Sequence, residues 1–329
     1  MSRTFIAAFA IVAISVMSGC GGGDEKRQPG GVDPAAVVAR VNGAEIRAGS
    51  VEAQYAVALR TFRGAKRVVA DEEGRAAVRA QMLGGLIQLR LLEQAATENG
   101  ITVEAGDVRK QRQTMITASG GGTAYAKRVR GIPAPIVEQQ LRQAVLEDEL
   151  IATLARDATV PESELRAFFR TNRGTRFGPA VEARHILVAS RRAADAVLER
   201  LAAGEGFAAV AADVSLDAAT AASGGRLGAI RRGATLAPIT DAALSTALGQ
   251  HVAVRTELGV HVLEVTDRQR APTYAEVQTE IRAELTRGVG LQRLARLIGR
   301  RAAKADVWVN EAYGRWNPAQ AIVLPTTGE

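Results

Sequence analysis

The chain has 329 residues, of which 47% are hydrophobic and only 4% aromatic, so it can form two or three domains with mainly aliphatic cores. Its net charge of +7 comes from 42 Lys and Arg residues against 35 Asp and Glu residues. The basic residues alternate with acidic ones, a pattern typical of solvated helix faces, and no basic cluster is interleaved with aromatic residues. We therefore expect no nucleic-acid partner.

The N-terminus carries a targeting signal. Arg3 precedes an apolar stretch at residues 5–16 that is too short to span a bilayer, and small residues then lead to Cys20, the only cysteine. This arrangement resembles a bacterial lipoprotein signal; the alternative is an ordinary secretory signal with an incidental cysteine. We expect a signal peptide over 1–19 and lipidation of Cys20. A single cysteine excludes a disulfide within the chain.

Residues 20–34 are rich in Gly and charge and predict a flexible tether. Acyl chains on Cys20 would anchor the protein in a membrane. We therefore expect a cell-envelope location, on the outer side of the cytoplasmic membrane or in the periplasm.

A helical segment is predicted over 35–177. It opens with Asn42-Gly43 between two short β-type runs, which is a strong hairpin signal. A long helix follows over 72–99 and ends at Gly100. Its apolar residues form two adjacent stripes, which indicates burial on most sides. The stripes consist of Val78, Met82, Leu86 and Leu89, and of Leu83, Ile87 and Leu91.

Three spaced signals mark the next segment, 178–270. A strand begins at His185, a glycine-rich turn follows at 223–228, and a second apolar strand begins around His261. We expect helices between the strands and a loop over 215–233. The fold class is therefore α+β, with a small antiparallel sheet covered by helices.

A further helix over 273–301 and a short strand at 307–309 make up the C-terminal segment, 271–312. The tail, 313–329, contains Pro318 and Pro325 and lacks periodicity, so we expect it to be loosely ordered.

The order and spacing of the three central signals resemble the parvulin family of peptidyl-prolyl cis/trans isomerases. The flanking segments resemble, more loosely, the helical chaperone portions of the secreted foldase and survival-protein group, in which the isomerase domain is inserted between N- and C-terminal parts of one helical lobe. The resemblance implies a membrane-anchored isomerase and foldase that rotates X-Pro bonds of unfolded exported proteins, without a cofactor, a metal or a covalent intermediate.

The resemblance also implies a set of site residues. His185 and His261 match the two parvulin histidines on adjacent strands. Asp217 matches the family's Asp or Cys position, and Thr256 matches the hydroxyl residue beside the second histidine. We expect these four residues to be catalytic.

The apolar cup that receives proline departs from the family pattern. Thr235 stands where the family has Met, or Leu236 does if the register shifts by one. Ile239 replaces the expected Phe, and Leu258 stands where an aromatic residue is common. These four residues are our substrate-binding predictions. A lost proline–aromatic contact could weaken transition-state binding by about 1 kcal/mol.

Other site chemistries fit the sequence less well. A metal site from the two histidines and Asp217 lacks a close-spaced ligand pair. A serine hydrolase would need a Gly-x-Ser-x-Gly turn, which does not occur. His251 matches no motif and is predicted to be a surface residue. Two alternatives to the enzyme remain: a holdase chaperone with an inactive or weak parvulin domain, and a structural envelope lipoprotein without clients.

Overall fold

The computed structural model describes residues 33–61, 65–233 and 236–326. It divides into two compact units. One comprises the described residues up to Ala158 together with those from Arg287 onward, and the other spans Thr159–Thr286. The predicted signal peptide, Cys20, most of the tether and Thr235 lie outside the described residues.

The first unit is mainly helical, and its chain is discontinuous. Its N-terminal part contains β1 (Val37–Val41), β2 (Ala44–Arg47), α1 (Ala48–Thr61), α2 (Ala65–Val68), α3 (Glu72–Glu98), α4 (Ala105–Ala118), α5 (Gly122–Arg128) and α6 (Ala134–Ala155). Its C-terminal part contains the end of α11 (Tyr274–Lys304), β7 (Val307–Val309), β8 (Arg315–Asn317) and β9 (Ile322–Leu324).

Helix α3 is the central element of this unit. Its first turn is capped by Asp71, whose carboxylate accepts a hydrogen bond from the Gly74 amide at 2.8 Å. Leu83, Ile87 and Leu91 are fully buried in one core cluster, whereas Leu89, Leu92, Ala95 and Ala96 belong to a second cluster with α4 and α6. The two predicted stripes do not correspond to the two cores. Met82 and Leu86 of the first stripe pack in the same cluster as the second stripe, and Leu89 packs in the other cluster.

Three strands in this unit form a sheet in the order β2-β1-β7. The predicted Asn42-Gly43 turn joins the first two strands, and both of its residues adopt positive φ angles of 49° and 83°. Strand β7 comes from the far end of the chain and pairs antiparallel with β1. This sheet therefore joins the two ends of the described chain.

The expectation of a loosely ordered tail is wrong for residues 315–324. Strands β8 and β9 form an antiparallel hairpin, and Val323 is buried in the same core cluster as Leu83. The Gln88 side chain also donates a hydrogen bond to the Ala321 carbonyl at 2.7 Å. Packing against α3 therefore orders a segment that has no periodic pattern of its own.

The second unit contains α7 (Glu162–Asn172), β3 (Ala180–Val188), α8 (Arg191–Ala202), α9 (Phe207–Val214), β4 (Arg226–Ile230), α10 (Ala237–Ser245), β5 (His251–Thr256), β6 (Gly259–Gln269) and the first part of α11. Its four strands form one antiparallel sheet in the order β4-β3-β6-β5. The predicted α+β class is confirmed. The loop expected over 215–233 is corrected, because it contains the edge strand β4.

The two faces of this sheet pack against different cores. Ile186, Val188, Val260 and Val262 pack with α8 and α9 on one face. Alternate positions on the same strands, including Ala183, Leu263 and Val265, pack with α10 on the other. The second cluster, here called the α10 cluster, is entirely aliphatic. Its buried members are Val181, Ala183, Ile230, Ile239, Ala243, Leu263 and Val265, and its partly buried members are Leu227, Ala242, Leu244, Val252 and Val254.

Within the described part of the chain, no helix combines the length and apolar character needed to cross a membrane.

Candidate functional site

Two neighbouring strands bring His185 and His261 together on the α10-cluster face of the sheet. In the antiparallel register His185 lies opposite Leu263, and His261 lies opposite Leu187, so the histidines are diagonal neighbours. Their Nδ1 atoms are 2.9 Å apart, and their rings are nearly parallel, at 18°. Both side chains are buried. One Nδ1 must therefore donate a proton while the other accepts it.

The outer nitrogen of His185 faces an acidic group. Its Nε2 lies 2.8 Å from Asp217 Oδ2 and 3.2 Å from the Thr220 hydroxyl. The Thr220 hydroxyl donates to the same carboxylate oxygen at 2.6 Å, and the Ala219 amide donates to Oδ1 at 3.2 Å. The carboxylate thus receives donors on both of its oxygens.

The outer nitrogen of His261 faces a hydroxyl. Its Nε2 lies 2.9 Å from Thr256 Oγ1, and that oxygen accepts a hydrogen bond from the Leu258 amide at 3.1 Å. Thr256 lies at the end of β5, opposite Gly259 at the start of β6. The turn between these strands therefore holds the hydroxyl beside the ring.

The glycine-rich turn fixes the Asp217 loop against β3. The His185 amide donates to the Gly225 carbonyl at 2.7 Å, and the Leu216 amide donates to the Leu187 carbonyl at 2.8 Å. Gly225 has a φ of +76°, and a Cβ at this position would lie 2.0 Å from the His185 carbonyl oxygen. Glycine is required here both for its backbone conformation and for the close approach of β3.

The environment favours an ionised Asp217 and a neutral His261. The Thr220 hydroxyl, followed by the hydrogen bond from His185, lowers the pKa of Asp217. Burial, followed by the proximity of His185, lowers the pKa of His261, and the Asp217 charge opposes this effect only in part. At neutral pH the carboxylate is charged and the His261 ring is uncharged.

The predicted substrate-binding residues occupy different environments. Ile239 is buried in the α10 cluster, on the same sheet face as the histidines. Leu236 and Leu258 are exposed, at 47% and 67%. Thr235 lies outside the described residues.

The structure brings together all four residues predicted to be catalytic, His185, Asp217, Thr256 and His261, in one hydrogen-bonded chain. His251 lies apart from it on the opposite face of the sheet, where its ring stacks on Phe207 and its Nε2 lies 3.5 Å from Glu264.

Sequence reasoning missed three residues near the site. Thr220 contacts both Asp217 and His185, and the Asp-x-x-Thr spacing in a turn could have indicated it. Leu216 is 61% exposed directly beside Asp217. Leu227, on β4, packs against the α10 cluster. Its strand was not predicted because glycines lie on both sides of it in the sequence.

Two segments of the chain match known family models. Residues 168–269 match the family model described as a PPIC-type PPIase domain. This segment is a parvulin domain. Residues 1–118 match the model of a SurA-like N-terminal domain. The chain thus combines a parvulin domain with a SurA-like segment.

Several curated relatives of the chain are foldases. It is 30% identical over 188 residues to foldase protein PrsA of Caldanaerobacter subterraneus, covering 57% of this chain and 56% of the relative. It is 28% identical to PrsA of Halalkalibacterium halodurans, covering 63% and 62% of the two chains. The alignments therefore span little more than half of the relatives' length.

Solved structures of a foldase and of an isomerase domain also align with parts of the chain. PrsA from Streptococcus pneumoniae aligns with a TM-score of 0.44 and 17% identity, covering 74% of this chain and 90% of that one. A PpiC-type isomerase domain aligns with a TM-score of 0.27 and 28% identity, covering 30% of this chain and 96% of that one.

Proposed function

We propose that the protein is a membrane-anchored peptidyl-prolyl cis/trans isomerase and foldase that acts on unfolded exported proteins. The observation that carries this proposal is the buried His185–His261 pair, bonded to Asp217 at one end and to Thr256 at the other. The pair lies within the parvulin match and on the sheet face that carries the α10 cluster.

The chemistry requires no bond to be made to the protein. The X-Pro bond rotates slowly because its C–N bond has partial double-bond character, with a barrier near 20 kcal/mol. The twisted amide is less polar than the planar one, so an apolar surface that excludes water favours it. A positioned hydrogen-bond donor can also stabilise the nitrogen lone pair as it localises.

The site residues divide these tasks. His185, Asp217, Thr256 and His261 form the rigid polar floor, and neutral rings are required for its internal hydrogen bonds. We assign proline contacts to Thr235, Leu236, Ile239 and Leu258. Leu216 and Leu258 add exposed apolar surface next to the two ends of the floor, which suits a client segment with apolar side chains beside its proline.

Membrane attachment rests on the sequence around Cys20, where a lipid on the only cysteine would hold the protein at the cell envelope. Mass spectrometry of the protein expressed in a bacterial host tests it. A mature N-terminus at Cys20 carrying a diacylglyceryl group is expected, and cleavage elsewhere would contradict the anchor.

A holdase function is the second candidate, because two observations favour it. Among the described residues the α10 cluster contains no aromatic side chain, and none of the four residues that we assign to the proline cup is aromatic. The first unit also has a cavity of about 350 Å³ lined in part by Ile101, Val103 and Leu146, with Arg142 and Glu93 among its polar residues.

A refolding assay separates the two functions. The full chain is added to an unfolded protein whose slow refolding phase is limited by proline isomerisation, and both aggregation and the slow phase are followed. An isomerase accelerates the slow phase, and His261→Ala removes that acceleration. Suppressed aggregation without acceleration, unchanged in His261→Ala, would support the holdase and contradict the isomerase.

A further inference from the structure

The hydrogen bonds of the site form one continuous chain with a fixed donor at one end. The Leu258 amide can only donate, and it donates to Thr256 Oγ1. From there the chain runs through both histidines to Asp217 Oδ2, with successive separations of 2.9, 2.9 and 2.8 Å. In every hydrogen bond of the chain except the first, either partner can be the donor.

The charge on Asp217 selects the direction. If Asp217 is ionised, it accepts from His185 Nε2–H, and the bare His185 Nδ1 accepts from His261 Nδ1–H. The bare His261 Nε2 then accepts from the Thr256 hydroxyl. With these donors, each hydrogen bond of the chain contains one proton.

The opposite direction requires a protonated Asp217 that donates to His185. His261 Nε2–H would then donate to Thr256 Oγ1, which already accepts from the Leu258 amide. The Thr256 hydroxyl proton would then have no acceptor within the chain. A side chain that keeps Asp217 ionised therefore determines the tautomers of both rings.

Thr220 is placed to do this. Its hydroxyl makes the shortest contact in the network, 2.6 Å to Asp217 Oδ2, and has only one proton to donate. Its backbone is held in the turn, because its amide donates to the Asp217 carbonyl at 3.2 Å and its carbonyl accepts from the Gly225 amide at 2.9 Å. The hydroxyl therefore approaches the carboxylate from a fixed position.

We propose that Thr220 is a positioning residue that fixes the direction of the hydrogen-bond chain, and with it the tautomers of His185 and His261, by holding Asp217 as a carboxylate. The lowered pKa of Asp217, with the Thr220 hydroxyl as its largest cause, agrees with this role. The titratable groups that the described contacts place on this chain are Asp217, His185 and His261; β5 contributes only the Thr256 hydroxyl.

The first test is a substrate-free nitrogen NMR spectrum of the full chain labelled with ¹⁵N-histidine. The proposal predicts protons on His185 Nε2 and His261 Nδ1, and one tautomer for each ring at neutral pH. Thr220→Val, which keeps the side-chain shape but removes the hydroxyl, should mix the tautomers as the pH falls. Thr220→Ser should restore the wild-type spectrum.

The second test is the pH profile of kcat/KM for a proline peptide, and only this readout rests on the proposed isomerase function. Loss of the hydroxyl raises the pKa of Asp217, so on the acid side the activity of Thr220→Val should disappear at a higher pH than that of the wild type. Thr220→Ser should show the wild-type profile. Thr246→Val is the matched control, because the Thr246 hydroxyl donates to the Ala242 carbonyl at the end of α10, away from the hydrogen-bond chain.

Opposite tautomers in the wild type would overturn the proposal even if Thr220→Val fails to fold. So would a Thr220→Val protein with the wild-type spectrum, or a Thr220→Ser protein with the altered one. Predicted tautomers in a folded chain that does not accelerate isomerisation would support the positioning role and refute the isomerase, so the two failures are distinguishable.

Discussion

At the residue scale, two buried histidines are tolerated because every ring nitrogen has a partner. The Nδ1 atoms bond each other, and the two Nε2 atoms bond Asp217 and Thr256. A buried polar group without a partner would cost roughly 1–3 kcal/mol. The same arrangement leaves no good position for an additional proton on the pair.

The stability of the protein should therefore fall on mild acidification. Unfolded His261 titrates near its ordinary value of 6.5, and burial lowers the pKa in the folded state. Between these two values the unfolded state binds more protons, so the free energy of unfolding decreases as the pH falls. Urea denaturation from pH 7 to 5 should show this slope in the wild type and a smaller slope in His261→Gln.

His251→Gln is the control for that experiment, because His251 lies on the opposite sheet face and is more exposed. Its free energy of unfolding should depend on pH as in the wild type. Equal slopes in wild type and His261→Gln would contradict the assignment of a neutral buried ring.

At the element scale, the position of the Asp217 loop depends on a glycine that no other residue can replace. Gly225 and Gly228 have similar φ angles of +76° and +73°. A Cβ at Gly225 would collide with the His185 carbonyl, whereas a Cβ at Gly228 meets nothing within 4 Å. The two positions share the backbone strain and differ only in the collision.

Alanine substitutions at these glycines should therefore differ in effect. Gly228→Ala should lose about 1–2 kcal/mol of unfolding free energy from the left-handed backbone alone. Gly225→Ala should lose more than Gly228→Ala and should also separate Asp217 from His185. Urea denaturation measures both losses. Equal losses would show that β3 does not approach the turn as described.

Local sequence patterns explain which elements could be predicted. Helix α3 and the histidine-bearing strands have long apolar patterns, so their existence follows from periodicity. Strand β4 was missed because its five residues include Gly228, at a register irregularity in its pairing with β3. The β8–β9 hairpin was missed because its order comes from contacts with α3, more than 200 residues away in the chain.

The same distinction holds within the site. His185 and His261 could be predicted because they match the two histidines of the parvulin sequence pattern. The role of Thr220 depends on a 2.6 Å contact across a turn, which composition and spacing alone do not reveal.

At the scale of the whole molecule, the two ends of the described chain meet in the first unit. Strand β1 lies between β2 and β7, and Val323 of β9 packs against α3 at Gly84. The C-terminal segment is therefore part of the helical lobe's core.

A pair of adjacent glycines in α3 tests this packing. A Cβ at Gly85 meets nothing within 4 Å, so Gly85→Ala should stabilise the exposed helix position by about 0.5–1 kcal/mol. A Cβ at Gly84 would lie 3.3 Å from the Val323 amide nitrogen, so Gly84→Ala should gain less or destabilise. Equal gains in thermal denaturation would contradict the packing of the hairpin on α3.

Truncation after Lys304 tests the contribution of the C-terminal strands. It removes β7, β8 and β9 and leaves α11 intact. Hydrogen exchange should become faster in β1 and α3, because both lose core partners, while β3 and β6 retain their protection. Unchanged protection in β1 would mean that the C-terminal segment contributes nothing to that core.

The central claim is that the histidine pair belongs to a working isomerase site. NMR exchange spectroscopy on an Ala-Xaa-Pro peptide, with the chain from Gly21 onward, tests it most directly. The account predicts accelerated cis/trans exchange that His261→Ala strongly reduces and His251→Ala leaves unchanged. Exchange at the uncatalysed rate, with a demonstrably folded protein, would contradict it.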